Sequence, residues 1–500
     1  MLALATHALR AEVSLPSIFT DHMVLQRNLA NPVWGKATPG ENVSVRIDGQ
    51  IHQTQADANG KWTVKLDPMN AGGPFTLNIE GNNTVTIQDV LIGEVWVCSG
   101  QSNMEWPLGR SNDSQLEAKS ANYPKIRFIT IPRNGTQEPQ DDFEGAWEIC
   151  SPKTVKEFSA IGYYFGWRLL QVLDVPIGLI DNSWGGSMIE SWVPREDLQG
   201  DPELEAVLTK WDKRMEGYTD ETYQQALADY EVAKAAFIAG GKIGNWPHRP
   251  SNLARGQMRP ANIYNGGVYP IIGYGIKGML WYQGESNAGE PDRYLKIFPR
   301  MLKTYREQWD QGDFPCYWVQ LADYKAEHDD PNKRSYWAEM REVQTAFMDR
   351  VPNGGQAVII DVGEGRDIHP RNKRVPADRL ARWALAKQYG VDLEYRSPEY
   401  ESMEIVDNKA ILSFKHVRQL YTFDIKEPIG FTIAGEDGQF VWAKAKLVGA
   451  KQIEVWSDAV PHPTQVRYGW ATNPKVNVYS YNGLPLTPFR TDTPAYLQDQ

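Results

Sequence analysis

Apolar and polar positions alternate through residues 12–90. Three triplets carry the signal: Val43/Val45/Ile47, Trp62/Val64/Leu66 and Phe75/Leu77/Ile79. A period of two belongs to a strand with one buried and one wet face. Asn59-Gly60 precedes the second triplet as a hairpin turn, and Pro39-Gly40 and Gly72-Gly73-Pro74 punctuate the others. The pattern predicts a small β-sandwich over 12–90. From residue 91 the apolar runs become continuous: Glu94-Val-Trp-Val-Cys98, Pro176-Ile-Gly-Leu-Ile180, Gly278-Met-Leu-Trp-Tyr282, Cys316-Tyr-Trp-Val-Gln-Leu321 and Ala357-Val-Ile-Ile360. Such runs suit parallel strands covered on both faces. Helical spacing separates them. Phe158, Ile161, Phe165 and Leu169 mark a helix over 157–173, and Trp337, Met340, Val343 and Phe347 one over 335–349. A third helix over 377–389 stops at Gly390. This rhythm predicts a doubly wound α/β domain over 91–399. Residues 200–250 interrupt it with a charged, strand-free stretch, read as an inserted helical hairpin covering part of the domain. Strand patterns return over 400–500, at Ala410/Leu412/Phe414, Phe431-Thr-Ile433, Ile453/Val455 and Gln465-Val-Arg-Tyr468. They predict a second β region.

Composition narrows the classes. With 500 residues the chain has room for about three domains. It is 41% hydrophobic and 23% charged, a folded balance. Lys+Arg 52 against Asp+Glu 63 gives 52 − 63 = −11. So acidic a chain is a poor partner for phosphate backbones, and no nucleic-acid role is expected. No apolar run reaches the ~20 residues of a membrane span, so no membrane partner is expected. The pattern sets no oligomeric state. Cys98, Cys150 and Cys316 are too few for a disulfide framework and lack CxxC spacing. With eight histidines and no HExxH, no metal cofactor is expected. Residues 1–11 are short and apolar and end Ala8-Leu-Arg-Ala11. They read as a signal-peptide remnant, so a periplasmic or secreted location is expected.

Ligands of doubly wound sheets bind at the carboxyl ends of the strands, so the loops there matter most. The first is Gly100-Gln-Ser-Asn-Met104. A serine just after a strand is placed to attack, and its own N–H faces the developing oxyanion. No GxSxG occurs, which argues against an α/β-hydrolase nucleophile elbow. The second is Asp181-Asn-Ser-Trp-Gly-Gly-Ser187, where Gly185 and Gly186 let backbone approach a ligand closely. The third is Gln283-Gly-Glu-Ser-Asn287, whose amides are neutral donors suited to an oxyanion. The fourth is Asp361-Val-Gly-Glu-Gly-Arg-Asp-Ile-His369, a histidine with Asp367, Glu364 and Asp361 beside it. A carboxylate there would fix the ring tautomer. Each loop alone is more often plain turn chemistry. Together the four point to a serine hydrolase.

Gly93-Glu-Val-Trp-Val-Cys-Ser-Gly-Gln-Ser-Asn-Met-Glu-Trp106 resembles the first block of the SGNH (GDSL-like) esterases, in their sialate O-acetylesterase branch. Trp281-Tyr-Gln-Gly-Glu-Ser-Asn-Ala288 and Asp367-Ile-His-Pro-Arg-Asn-Lys373 resemble its later blocks. Phe19-Thr-Asp-His-Met-Val-Leu-Gln-Arg27, Val466-Arg-Tyr-Gly-Trp470 and Pro488-Phe-Arg-Thr-Asp492 extend the likeness over nearly the whole chain. The resemblance implies a three-layer α/β/α domain with a parallel sheet, flanked by N- and C-terminal β regions. It also implies metal-free removal of O-acetyl groups from a carbohydrate. Ser102 would be the nucleophile and His369 the base. The oxyanion would meet the N–H of Ser102 and that of Gly185 or Gly186, with Asn287 or Gln283 as third donor. The family pattern has an aspartate three residues before the histidine, where this chain has Arg366. Asp367 is then the expected acid, with Glu364 and Asp361 as substitutes and a Ser–His dyad as the remaining option. Trp106, Arg110, Trp184 and Tyr282 are candidates for substrate contact, as is Trp192. O-acetylated sialic acid would need an arginine, Arg110 or Arg371. Acetylated xylan or xyloglucan would need only aromatic platforms. The alternatives are a non-catalytic carbohydrate-binding protein and a lipase-like esterase.

Overall fold

The computed structural model describes residues 12–242, 244–327, 330–492 and 497. The leader-like residues 1–11 lie outside the described residues. The strands that organise the first 400 residues are β1 (Val24–Gln26), β2 (Pro32–Lys36), β3 (Asn42–Ile47), β4 (Gln50–Gln55), β5 (Lys61–Lys65), β6 (Gly72–Glu80), β7 (Thr84–Gly100), β8 (Tyr123–Thr130), β9 (Glu148–Cys150), β10 (Ile177–Ser183), β11 (Gly278–Tyr282), β12 (Cys316–Val319) and β13 (Gly354–Ala357). The helices are α1 (Ser102–Glu105), α2 (Ser114–Ser120), α3 (Ala160–Leu173), α4 (Pro202–Met215), α5 (Asp220–Ala239), α6 (Pro291–Trp309), α7 (Tyr336–Arg350) and α8 (Arg374–Tyr389).

The alternating triplets form β3, β5 and β6. Their apolar residues turn inward and their polar ones outward, as in β5, where Trp62 and Val64 are buried between exposed lysines. β2 pairs with β5, while β4, β3, β6 and β7 pair in sequence. The inward side chains of both groups meet in one core. β7 then runs on without a linker. Its first half pairs with β6, Leu91–Gly93 with β1, and Glu94–Gly100 with β10. A boundary drawn at residue 90 therefore falls inside one continuous strand.

The second sheet has the order β13-β12-β11-β7-β10-β8-β9. All neighbours from β13 to β8 are parallel, and β9 is antiparallel at the edge. Val95, Val97, Met279, Trp281 and Trp318 pack on one face, with side chains of α6 and α7. Trp96, Cys98, Leu280, Tyr282 and Tyr317 pack on the other, with α3 and α8. Residues two apart thus share a face, and a continuous apolar run fills both. All three cysteines are free and buried. α3 is capped by Ser159, whose Oγ accepts from Gly162 N–H, and α8 ends on Gly390 in the left-handed region.

Two expectations need correction. The strand expected at 357–360 is β13, Gly354–Ala357. Val358–Ile360 are buried but follow the paired segment. β8 was not foreseen, because Pro124, Lys125 and Arg127 break its apolar run. The insertion forms two helices, α4 and α5, and regular structure stops at Ala239 rather than 250. Only α4 covers the domain, through Leu204, Leu208 and Trp211, since α5 buries no residue. Beyond 398, Glu399–Val406, Lys409–Lys415, Gln452–Trp456 and Lys444–Leu447 form an antiparallel sheet. It shares a core with Phe431–Ala434 and Gln465–Tyr468.

Candidate active site

β7 is flanked by β10 on one side and β11 on the other, so three loops leave the sheet side by side at its carboxyl edge. Gly100 ends β7 at φ 140°, and a Cβ there would lie 2.2 Å from the Tyr282 carbonyl oxygen. Only glycine fits, and the chain turns straight into α1 with Ser102 as its first residue. The loop after β10 comes just as close: a Cβ on Gly185 would sit 3.2 Å from Cβ of Ser102.

His369 arrives from the loop between β13 and α8. The Ser102 hydroxyl donates to its Nε2 at 2.8 Å. Nδ1 faces Asp367 Oδ1 at 3.2 Å, and the same oxygen accepts the His369 backbone N–H at 2.9 Å. That backbone bond is the main cause holding the Asp367 carboxyl below its usual range. His369 is lowered from 6.5, first by burial and then by the cations Lys373 and Arg110, against the raising effect of Asp367. The imidazole is therefore neutral near pH 7 and free to accept a proton. The other two carboxylates are engaged elsewhere. Glu364 pairs with Arg371 and Asp361 with Arg379.

A cavity of about 550 Å³ opens over Ser102 and His369. Arg110, Arg133, Glu105, Glu157 and Asp181 line it. Arg133 pairs with Glu105, whereas among the described residues no carboxylate lies within 4 Å of Arg110. Arg110 lies 4.1 Å over the Trp106 ring. Asp181 is fully buried, and its carboxyl is pushed up to about 7 by burial, with Glu105 adding to the rise.

Several expected contacts are not made. Gly185 N–H donates to Glu105 Oε2 at 2.8 Å, so it is already satisfied, while Gly186 is exposed. Gln283 is fully buried, and both hydrogens of its amide are spent on Ser187 O and Asn287 Oδ1. Asn287 is equally buried, accepting from Ile189 N–H and donating to Glu190. Neither amide reaches the cavity. Tyr282 and Trp192 are core residues. Trp184 packs half-buried against the core and does not line the cavity. Trp106 lines it, but its ring stacks on His369 at 5.0 Å, so it supports the imidazole rather than offering a sugar platform. Arg371 is held by Glu364, which leaves Arg110 as the cavity's arginine without a carboxylate partner.

Sequence reasoning missed Glu105, Arg133, Asn103, Glu285 and Lys373. Glu105 and Asn103 lie in the Ser102 motif, Glu285 in the Gln283 motif and Lys373 in the His369 motif. Arg133 lies in no motif, and the roles of the others are set by partners distant in sequence.

A family model described as carbohydrate esterase, sialic acid-specific acetylesterase, matches residues 235–358. That segment spans β11 to β13 and excludes both Ser102 and His369. The chain is 30% identical to the sialate O-acetylesterase of Mus musculus, over 95% of this chain and 93% of that one. It is 29% identical to the sialate O-acetylesterase of Homo sapiens, over 97% and 92%. Among solved structures it superposes on a carbohydrate acetylesterase from Xanthomonas citri with TM-score 0.82 and 34% identity, covering 96% of this chain and 100% of that one.

Proposed function

Because the chain belongs to the sialate O-acetylesterase family of carbohydrate esterases, we propose that it removes acetyl esters from sugar hydroxyls through Ser102, His369 and Asp367. It is a carboxylic ester hydrolase. The observation that carries the mechanism is the 2.8 Å hydrogen bond from Ser102 Oγ to His369 Nε2 at the floor of an open cavity. Neutral His369 takes the hydroxyl proton as Oγ attacks the acetyl carbonyl. Asp367 on Nδ1 fixes the tautomer and stabilises the imidazolium. The oxyanion is met by the N–H of Ser102, the N–H of Gly185 being held by Glu105. The imidazolium then gives its proton to the departing sugar oxygen. Water repeats the sequence on the acetyl-enzyme and frees acetate.

Arg110 supports a carboxylate-bearing sugar, an O-acetylated sialic acid, as the preferred substrate. It stands in the cavity as a cation without a carboxylate partner among the described residues. The test is acetate release from O-acetylated sialic acid, acetylated xylan oligosaccharides and acetylated xyloglucan oligosaccharides, with Ser102→Ala as blank. Release from the sialic acid, abolished in Ser102→Ala and with KM raised ~10-fold or more in Arg110→Gln, is the expected result. Release only from the neutral glycans, indifferent to Arg110→Gln, would overturn the sialate preference. No release from any would overturn the esterase reading. The leader-like residues 1–11 support a periplasmic or secreted location, which fractionation of the producing cell would test.

A further inference from the structure

Directly behind the Ser102–His369 pair lies a buried polar group that the mechanism above does not use. Asn103, the neighbour of the nucleophile, accepts from Lys373 Nζ at 2.5 Å through its Oδ1. Its Nδ2 donates to Glu285 Oε1 at 2.6 Å and to the Ile368 carbonyl at 3.0 Å. Ile368 is the neighbour of His369. The amide therefore ties the turn carrying the nucleophile to the loop carrying the base. Its orientation is forced: flipped, it would set NH₂ against an ammonium and oxygen against a carboxylate.

Lys373 is an unusual residue for its place. It is the N-cap of α8, where Ser, Thr, Asp or Asn is preferred and a positive charge opposes the helix dipole. It is only 1% exposed. Glu285 is partly buried, and its Oε2 is an enclosed atom with no hydrogen-bond partner. A buried and a partly buried charge bridged by one amide are a costly arrangement for packing alone.

We propose that Lys373 is a positioning residue for the hydrolysis: through Asn103, with Glu285 as counter-charge, it holds the nucleophile turn and the His369 loop in register for proton transfer. The groups facing its ammonium are Asn103 and Trp106 from the Ser102 segment, Tyr282 and Glu285 from the end of β11, and Glu364 and Asp367 from the preceding loop. Those facing the imidazole are Asp367, Ser102, Trp106 and Arg110, with Lys373 beyond. Burial lowers Lys373 to about 7. The imidazole titrates below 6.5, so the ammonium is still charged where His369 gains its proton. The charge disfavours that proton, and removing it must move the imidazole upward.

The proposal rests on the Ser102–His369 ester-hydrolysis reading, so Ser102-dependent hydrolysis of 4-nitrophenyl acetate is measured first. Its absence would remove that reading and the ground for this one. Given activity, Lys373→Met keeps the side chain's bulk and deletes its charge. The expected result is kcat lowered ~10- to 100-fold with KM little changed. The acid limb of kcat/KM should also move to higher pH by about half a unit or more. The double variant Lys373→Met/Glu285→Gln removes the carboxylate that the single variant leaves bare. It covers the case in which the single variant does not fold, and the same upward move is expected. A folded variant with kcat within twofold of wild type would overturn the proposal. So would one with lower thermal stability and an unmoved acid limb, since that marks a structural role alone.

Discussion

At the scale of single residues, the acid beside His369 is the sharpest assignment. Three carboxylates stand within eight positions of it in sequence, and sequence could not rank them. Space does: Asp361 and Glu364 are each gripped by an arginine, and Asp367 alone of the three bonds the histidine. Asp367→Asn should lower kcat by ~10²–10⁴-fold, while Glu364→Gln should leave it within about fivefold, as steady-state kinetics on one acetyl ester would show. The base predicts its own pH behaviour. In the proposed reaction His369 works when neutral, and its pKa is depressed, first by burial. Activity should therefore hold below pH 6.5 and fall only once the imidazole is protonated. An acid limb of kcat/KM above 6.5 would contradict this. That Ser102, His369 and Asp367 would meet was legible because each sits inside a short motif at a strand end. The amides of Gln283 and Asn287 do not point where a third donor would stand, because an amide's direction is set by distant partners. Gln283 turns toward Ser187 and Asn287, and no motif states which carbonyl will be near.

At the scale of elements, the site depends on how β7 ends. Gly100→Ala must put a methyl 2.2 Å from the Tyr282 carbonyl oxygen, at a φ of 140° that an L side chain rarely adopts. A loss of about 2–4 kcal/mol in urea unfolding is expected, with activity falling further than stability because Ser102 is displaced. Strands buried on both faces were readable as continuous apolar runs, and helices as apolar spacing with a cap. β13 was misplaced because its first two residues are glycines, which carry no strand signal. Those glycines are small for a reason: a Cβ would meet Trp318 at 2.8 Å from Gly354 and Trp383 at 2.5 Å from Gly355. Likewise β8 hides behind Arg127, whose buried charge is met by the Asp89 carboxylate and by the carbonyls of Pro124 and His22.

At the scale of the whole molecule, the α/β domain and the C-terminal β region are joined by a buried cation. Arg341 on α7 donates to the carbonyls of Leu321 and Ala322 in its own domain, and to those of Ala471 and Thr472 just after the strand Gln465–Tyr468. Arg341→Met would strand four carbonyls. A loss of ~3–5 kcal/mol is expected, with earlier proteolytic release of the C-terminal region. Unchanged stability and proteolysis would show that other contacts, such as the Arg490–Glu342 pair, suffice to hold the two together. None of this was visible in sequence, where an arginine inside an apolar helix pattern reads as a surface residue. The alternation of strand types did separate the β regions from the α/β core, because that signal is local. The joints between regions depend on contacts more than a hundred residues apart.

The central claim is that Ser102 carries the acetyl group during turnover. Rapid acid quench of the enzyme mixed with an O-acetylated sugar, followed by peptide mass analysis, tests it most directly. The account predicts the mass of one acetyl group on the peptide containing Ser102, absent in Ser102→Ala. Turnover with no adduct on that peptide, or with the acetyl group on another residue, would contradict it.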